Sequence, residues 1–239
     1  MISTVPAVDF ITTYTCSTNS RDELRHDQCA SAGSFIAFVD APSTGAGVWE
    51  QRVATRHFSS ARRNARMHKI LSHHYINSEY SIWMDANVAL RVSSRQLIDS
   101  CLEHSDIAVF AHRSRSCTYE EAKRCIELGL DKRSVIDEQM ARYRRSGLPE
   151  GGGLAETTVV IRRNTSQVKQ FNECWWSEVC RYSVRDQLSF MYVAHLLGTK
   201  ISFIRPTKYE NPFFCITNRP AGAELPQRTI GEGLSFKYK

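Results

Sequence analysis

The chain has 239 residues, 42% of them hydrophobic and 23% charged, the make-up of one globular domain with a sizeable core. No apolar run approaches the roughly 18 residues that a membrane span needs. Residues 1–10 show neither a basic n-region nor an apolar h-region, so no secretory signal is read and the expected compartment is the cytoplasm. The formal charge of +6 suits an anionic ligand or partner without singling out nucleic acid or a membrane.

In chain order, residues 7–15 (AVDFITTYT) read as a first strand, rich in β-branched and aromatic types. Residues 16–33 are polar and read as a loop or short helix. Residues 34–40 form a second apolar strand ending in Asp40, a turn-rich connection follows, and 48–54 read as a third strand. Residues 59–75 predict a helix capped by Ser59 or Ser60, with Ala61, Ala65, Ile70 and Leu71 on one face and arginines on the other. Residues 80–85 (YSIWMD) predict a buried strand that ends at an acidic residue. A helix at 94–104, a strand at 106–111 and helices at 118–128 and 131–146 come next. Pro149 to Gly153 break the chain before a strand at 154–162. Helices at 165–181 and 185–197 and a strand at 200–205 complete the pattern, and 206–239, with four prolines, read as irregular. This alternation predicts a single α/β domain over 1–239, a mixed sheet with helices on both faces.

The eight cysteines contain no CxxC pair, which argues against a zinc ribbon and for free thiols in a reducing compartment. The most informative segment is the end of the YSIWMD strand. Asp85 falls at the carboxyl end, the edge where open α/β sheets bind ligands. Asp85 and Asn87 are two apart, so extended backbone points both side chains the same way. Such an oxygen pair suits a hard divalent cation, Mg²⁺ or Mn²⁺, although Asp-x-Asn is equally at home in a turn. In the helix before it, Arg62, Arg66 and Lys69 stand at spacings of four and three and share a face.

The run SARRNARMHKILSHHYINSEYSIWMDANVAL, residues 60–90, resembles GT-A glycosyltransferases, in which a basic helix precedes an apolar strand ending in a DxD-type metal motif. It is most similar to a glycosyltransferase-like family with bacterial members and plant relatives linked to mucilage synthesis and turgor control. Residues 149–163 (PEGGGLAETTVVIRR) resemble that family's glycine-containing turn and following strand, and 171–190 (FNECWWSEVCRYSVRDQLSF) its aromatic helix and RDQ-SF segment. Asn87, in place of a second aspartate, leaves the metal motif one charge short.

The resemblance implies a GT-A-like (Rossmann-like) fold and a nucleotide-sugar donor, with a hydroxyl acceptor on a saccharide or glycoconjugate. It assigns Asp85 and Asn87 to a Mn²⁺ or Mg²⁺ ion, and Arg62, Arg66 and Lys69 to the donor diphosphate or sugar. Thr13, Tyr14, Thr15 and Asp40 become contacts to base and ribose. His112 and Arg113, after the strand at 106–111, line the same cleft, and Glu156 and Thr157 reach toward the donor sugar. In Arg185-Asp186-Gln187, Asp186 becomes the general base of an inverting reaction or the group that orients the acceptor in a retaining one, with Arg185 and Gln187 beside the donor. The plain alternative for Asp186 is a helix cap. For His73-His74, the expected place is the end of the basic helix, where cations are favoured.

Three other functions stay open on the sequence. One is a nucleotide-sugar-binding protein without turnover. Another is a hydrolase, against which stands the lack of a GxSxG elbow or an HExxH helix. A third is a glycosyltransferase acting on nucleic acid, which the charge permits but no motif supports.

Overall fold

The computed structural model describes residues 7–14, 24–29 and 33–216. In chain order the elements are β1 (Val8–Tyr14), β2 (Ser34–Val39), β3 (Trp49–Val53), α1 (Ala61–Ile70), β4 (Tyr80–Met84), β5 (Val88–Leu90), α2 (Ser94–Cys101) and β6 (Ile107–Ala111). Then come α3 (Thr118–Glu127), α4 (Arg133–Arg145), β7 (Ala155–Arg163), α5 (Ser166–Arg181), α6 (Gln187–Leu197), β8 (Ile201–Ile204) and β9 (Phe214–Ile216). Seven strands form one sheet in the order β3-β2-β1-β4-β7-β6-β8, and β5 and β9 pair separately. This is the mixed sheet flanked by helices on both faces that the sequence predicts.

The sheet is parallel except at β7, which runs antiparallel to both β4 and β6. The reversal brings the amino-terminal residues of β7 to the edge where β4 and β6 end: Met84 pairs with Val159, and Phe110 with Glu156. A register shift between Val109 and Phe110 bends the strand at this edge, and such bulges re-aim side chains.

Side chains alternate between the two faces at period two. Ile11, Phe38, Trp83, Val109 and Val160 pack with α1 and α3–α6. Phe10, Phe35, Ile82, Phe110 and Ile161 pack with α2, Phe213 and Phe214. Helices therefore cover both faces, five on one and α2 on the other, where the β5–β9 ribbon completes the cover.

Helix α1 begins as predicted, with Ser60 Oγ accepting from the Arg63 amide at 3.2 Å. It ends earlier, at Ile70, and residues 72–74 form a separate 3₁₀ turn. Buried Arg162 explains the stop: it donates to the carbonyls of Lys69 (2.6 Å) and Ile70 (3.2 Å), which supplies a cation at the negative end of the helix. Two short strands depart from the sequence reading, β5 and, within the segment read as irregular, β9. Three residues are too few to show a periodicity. Residues 217–239 lie outside the described residues. The seven described cysteines are free thiols, three of them buried. Among the described residues no helix is long and apolar enough to cross a membrane.

Candidate active site

The carboxyl edge of the sheet collects most of the predicted residues. At its centre β4 ends, and the Asp85 amide donates to Thr158 O at 3.0 Å. The chain then turns at once, the Val88 amide donating to Asp85 O at 3.0 Å. The extended geometry expected for 85–87 is therefore replaced by a tight turn, because Asp, Ala and Asn leave a strand readily. Asp85 is partly exposed and accepts from Trp83 Nε1 at 2.9 Å through Oδ1, while Asn87 is buried. One carboxylate and one amide at this turn are hard oxygen donors, the type that Mg²⁺ and Mn²⁺ take together with phosphate and water.

Beside the turn lies a buried charge cluster. Asp186 is 3% exposed. Its Oδ1 meets Arg66 Nε at 2.6 Å, and its Oδ2 meets Lys69 Nζ at 2.6 Å. Thr157 Oγ1 accepts from Lys69 Nζ and donates to Asp186 Oδ2, both at 3.0 Å. Burial pushes the Asp186 pKa up, but Arg66 and Lys69 outweigh it and hold the carboxyl below its usual range. Arg66 is raised despite its burial, by Asp186 and then Asp85. Burial pulls Lys69 down, against the attraction of Asp186. Asp186 is thus a carboxylate whose lone pairs are taken up by cations. It stands at the N-cap position of α6, yet its side chain caps nothing, so the helix-cap alternative fails.

Lys69 departs from the expected basic face of α1, being buried beneath it with Nζ 5.8 Å from the centre of the Trp83 ring. Arg62 stays exposed at the rim. Its guanidinium is held below the ordinary value by burial first, then by Arg185 and Arg66. Arg185 Nε and the amide nitrogen of Gln187 are buried without a hydrogen-bond partner among the described residues. Crowded cations and unsatisfied donors at one place suit a multiply charged anion.

Two hollows flank this cluster. One lies over the ends of β1 and β2 and is lined by Thr13, Asp40, Arg56, Asn64 and His68. Thr13 Oγ1 is buried without a hydrogen-bond partner among the described residues, and Asp40 is held by Arg56 at 3.0 Å. The side chain of Tyr14 and all of Thr15 lie outside the described residues. The other hollow, of about 220 Å³, is lined by His112, Arg113, Arg115, Glu156, Lys208 and Tyr209. Here Glu156 accepts from Thr158 Oγ1 at 3.0 Å and meets Lys208 Nζ at 3.3 Å. His112 Nδ1 accepts from the amides of Ser114 and Arg115, and burial, then Arg115, pulls its pKa below the ordinary imidazole value. A larger hollow, of about 750 Å³, sits at the opposite edge among Asp106, Arg163 and Lys200 and touches none of the predicted residues.

Sequence reasoning missed Thr158, Arg115 and Lys208, whereas it placed Thr157 beside Glu156. Thr158 reads as an ordinary strand residue, and Lys208 sits in a proline-rich stretch without periodicity. Only the family-like block at 149–163 pointed to Thr158.

A family profile described as "TOD1/MUCI70, glycosyltransferase-like domain" matches residues 16–210. The chain is 29% identical over 171 residues to the probable hexosyltransferase MUCI70 of Arabidopsis thaliana, covering 66% of this chain and 29% of that protein. It is 26% identical over 150 residues to the alkaline ceramidase TOD1 of the same plant, covering 58% and 32%. The chain thus spans less than a third of the length of either relative. Among solved structures it is similar to mouse xyloside xylosyltransferase 1 in its apo form, with a TM-score of 0.47 and 8% identity, over 83% of this chain and 84% of that one. The matched span 16–210 contains all three blocks that carry the resemblance, and the chain belongs to the TOD1/MUCI70 glycosyltransferase-like domain family.

Proposed function

We propose that this domain is a glycosyltransferase that moves a sugar from a nucleoside-diphosphate sugar to a hydroxyl of a saccharide or glycoconjugate. The observation that carries the reading is the meeting of Asp85 with the Arg66–Lys69–Asp186 cluster on one sheet edge, between two separate hollows. The nucleoside lies against the carboxyl ends of β1 and β2 at Thr13 and Asp40, the cations Arg62, Arg66 and Arg185 face the diphosphate, and the Glu156 hollow receives the acceptor. Asp85 and Asn87 would hold a divalent ion, which when bound offsets charge on the departing diphosphate.

In this reading Asp186 is a positioning residue. Its carboxylate fixes Arg66 and Lys69, so that their charge is already in place when the diphosphate develops its own. The acceptor-side carboxylate is Glu156, which lines the second hollow and can orient the attacking hydroxyl. The cytoplasmic setting belongs to the same proposal and is supported by the free thiols.

The test is release of nucleoside diphosphate from a panel of nucleotide sugars, with Mn²⁺ present and with saccharide acceptors added. At least one donor is expected to turn over, faster with acceptor than without. Binding of donors with no release from any of them would instead identify a binding protein without turnover.

A further inference from the structure

Away from the carboxyl edge, three ligand-type side chains converge where the 3₁₀ turn after α1 meets α5. The Nε2 atoms of His73 and His74 lie 3.0 and 2.7 Å from one and the same oxygen, Oε1 of Glu173. The three ligand atoms all fall within 4.8 Å of one another, and no other group of three His, Cys, Asp or Glu among the described residues does so. We propose that His73, His74 and Glu173 form a binding site for a divalent transition-metal ion of the zinc type, independent of the donor site and sharing no residue with it.

The chemistry of the set favours such an ion over Mg²⁺. Two imidazole nitrogens and one carboxylate suit zinc and its neighbours, and three protein ligands leave one tetrahedral position open. The spacing is close to what the ion requires. Bonds of about 2.0–2.1 Å at tetrahedral angles put ligand atoms roughly 3.3 Å apart, a few tenths of an ångström wider than the two His–Glu contacts. His74 and Glu173 are exposed enough to make that adjustment and to admit an ion from solvent.

The ring of His73 is the fixed member. Its side chain is 8% exposed, and its Nδ1 accepts from Asn172 Nδ2 at 3.3 Å. That hydrogen bond puts the proton on Nε2, which donates to Glu173 in the metal-free protein. Metal binding needs the Nε2 lone pair, so the proton moves to Nδ1 and the Asn172 amide turns its Oδ1 toward it. Orientation of a ligating histidine by a partner on its other nitrogen is the usual arrangement at such sites. The turn gives up the 3.3 Å hydrogen bond from Arg162 to Asn172 Oδ1, but Arg162 keeps Ser72 and two α1 carbonyls. An ion here pins the end of α1, the helix that carries Arg66 and Lys69, to α5.

The test is titration of the chelator-treated full chain with Co²⁺, followed by visible absorption, and with Zn²⁺, followed by calorimetry. One equivalent is expected to give tetrahedral Co²⁺ bands without a thiolate charge-transfer band. H74A and E173Q should each weaken binding by about ten-fold or more. Both residues are partly exposed, so the variants should melt with the wild type in the absence of metal, which a thermal scan checks. D85A should leave the Co²⁺ spectrum unchanged. Unchanged affinity in H74A and E173Q overturns the site. A thiolate band would place the ion on cysteines, and loss of the signal in D85A would place it on the carboxyl edge; either overturns it as well.

Discussion

Asp186 shows how far a residue's chemistry depends on partners distant in sequence. It is conspicuous in Arg185-Asp186-Gln187, where a local rule suggests a cap and the family resemblance a base. Its actual partners, Arg66 and Lys69, lie about 120 residues earlier and become neighbours only when α1 and α6 pack on the same face. No spacing rule reaches that far. Removing one member of a buried pair leaves the others uncompensated, at a cost of about 3–5 kcal/mol. D186N should therefore lower the denaturant midpoint severely, and a midpoint equal to wild type would contradict the clamp. The pH dependence has a definite sign. Because the folded-state pKa is depressed, the stabilisation is complete above the unfolded-state value of about 3.9 and is lost as pH falls through the folded value. Acid should thus destabilise the wild type more steeply than D186N below about pH 4, as measured by unfolding at a series of pH values.

Among the elements, α1 was the most legible at its start and the least at its end. Ser60 announces the cap in the sequence. The stop at Ile70 is imposed by Arg162, a buried guanidinium from β7 whose pKa burial pulls down to about 9. It works without a carboxylate partner in the described structure, using the carbonyls of Lys69 and Ile70, Ser72 and Asn172 instead. Hydrogen bonds to a charged group contribute about 1.5–3 kcal/mol each. R162M should cost at least that much and should selectively raise amide exchange over residues 67–71, the last turn of α1. Uniform loss of protection across the domain, or none, would deny Arg162 this local role. The seven strands of the main sheet were read almost to the residue, because apolar runs bounded by turns need no distant information. The direction of β7 was not legible, since period-two alternation is the same in parallel and antiparallel strands. That direction is what delivers Glu156, Thr157 and Thr158 to the site.

For the whole molecule, one edge of one sheet holds two hollows on either side of a buried charge cluster. The division predicts that donor and acceptor affinities can be changed separately. E156Q removes a charge only from the hollow proposed for the acceptor. It should leave nucleoside diphosphate binding within about two-fold of wild type and slow transfer by on the order of 10²-fold or more if Glu156 serves as the base. Equal rates in kinetic assays of the two proteins would remove Glu156 from the chemistry. The basic helix, the acidic strand end and the later blocks were all visible in the sequence. Their assembly around one buried charge cluster was not, because it depends on sheet order.

The claim on which the rest depends is that this edge binds a nucleoside diphosphate with the help of a divalent ion at Asp85. Calorimetric titration of the wild type and D85A with uridine, guanosine and adenosine diphosphates, each with Mn²⁺ and with chelator, tests it most directly. The account predicts that at least one of them binds the wild type more tightly with Mn²⁺, and that D85A loses the difference. Binding of equal strength with and without metal in the wild type, or no binding of any of the three, would contradict it.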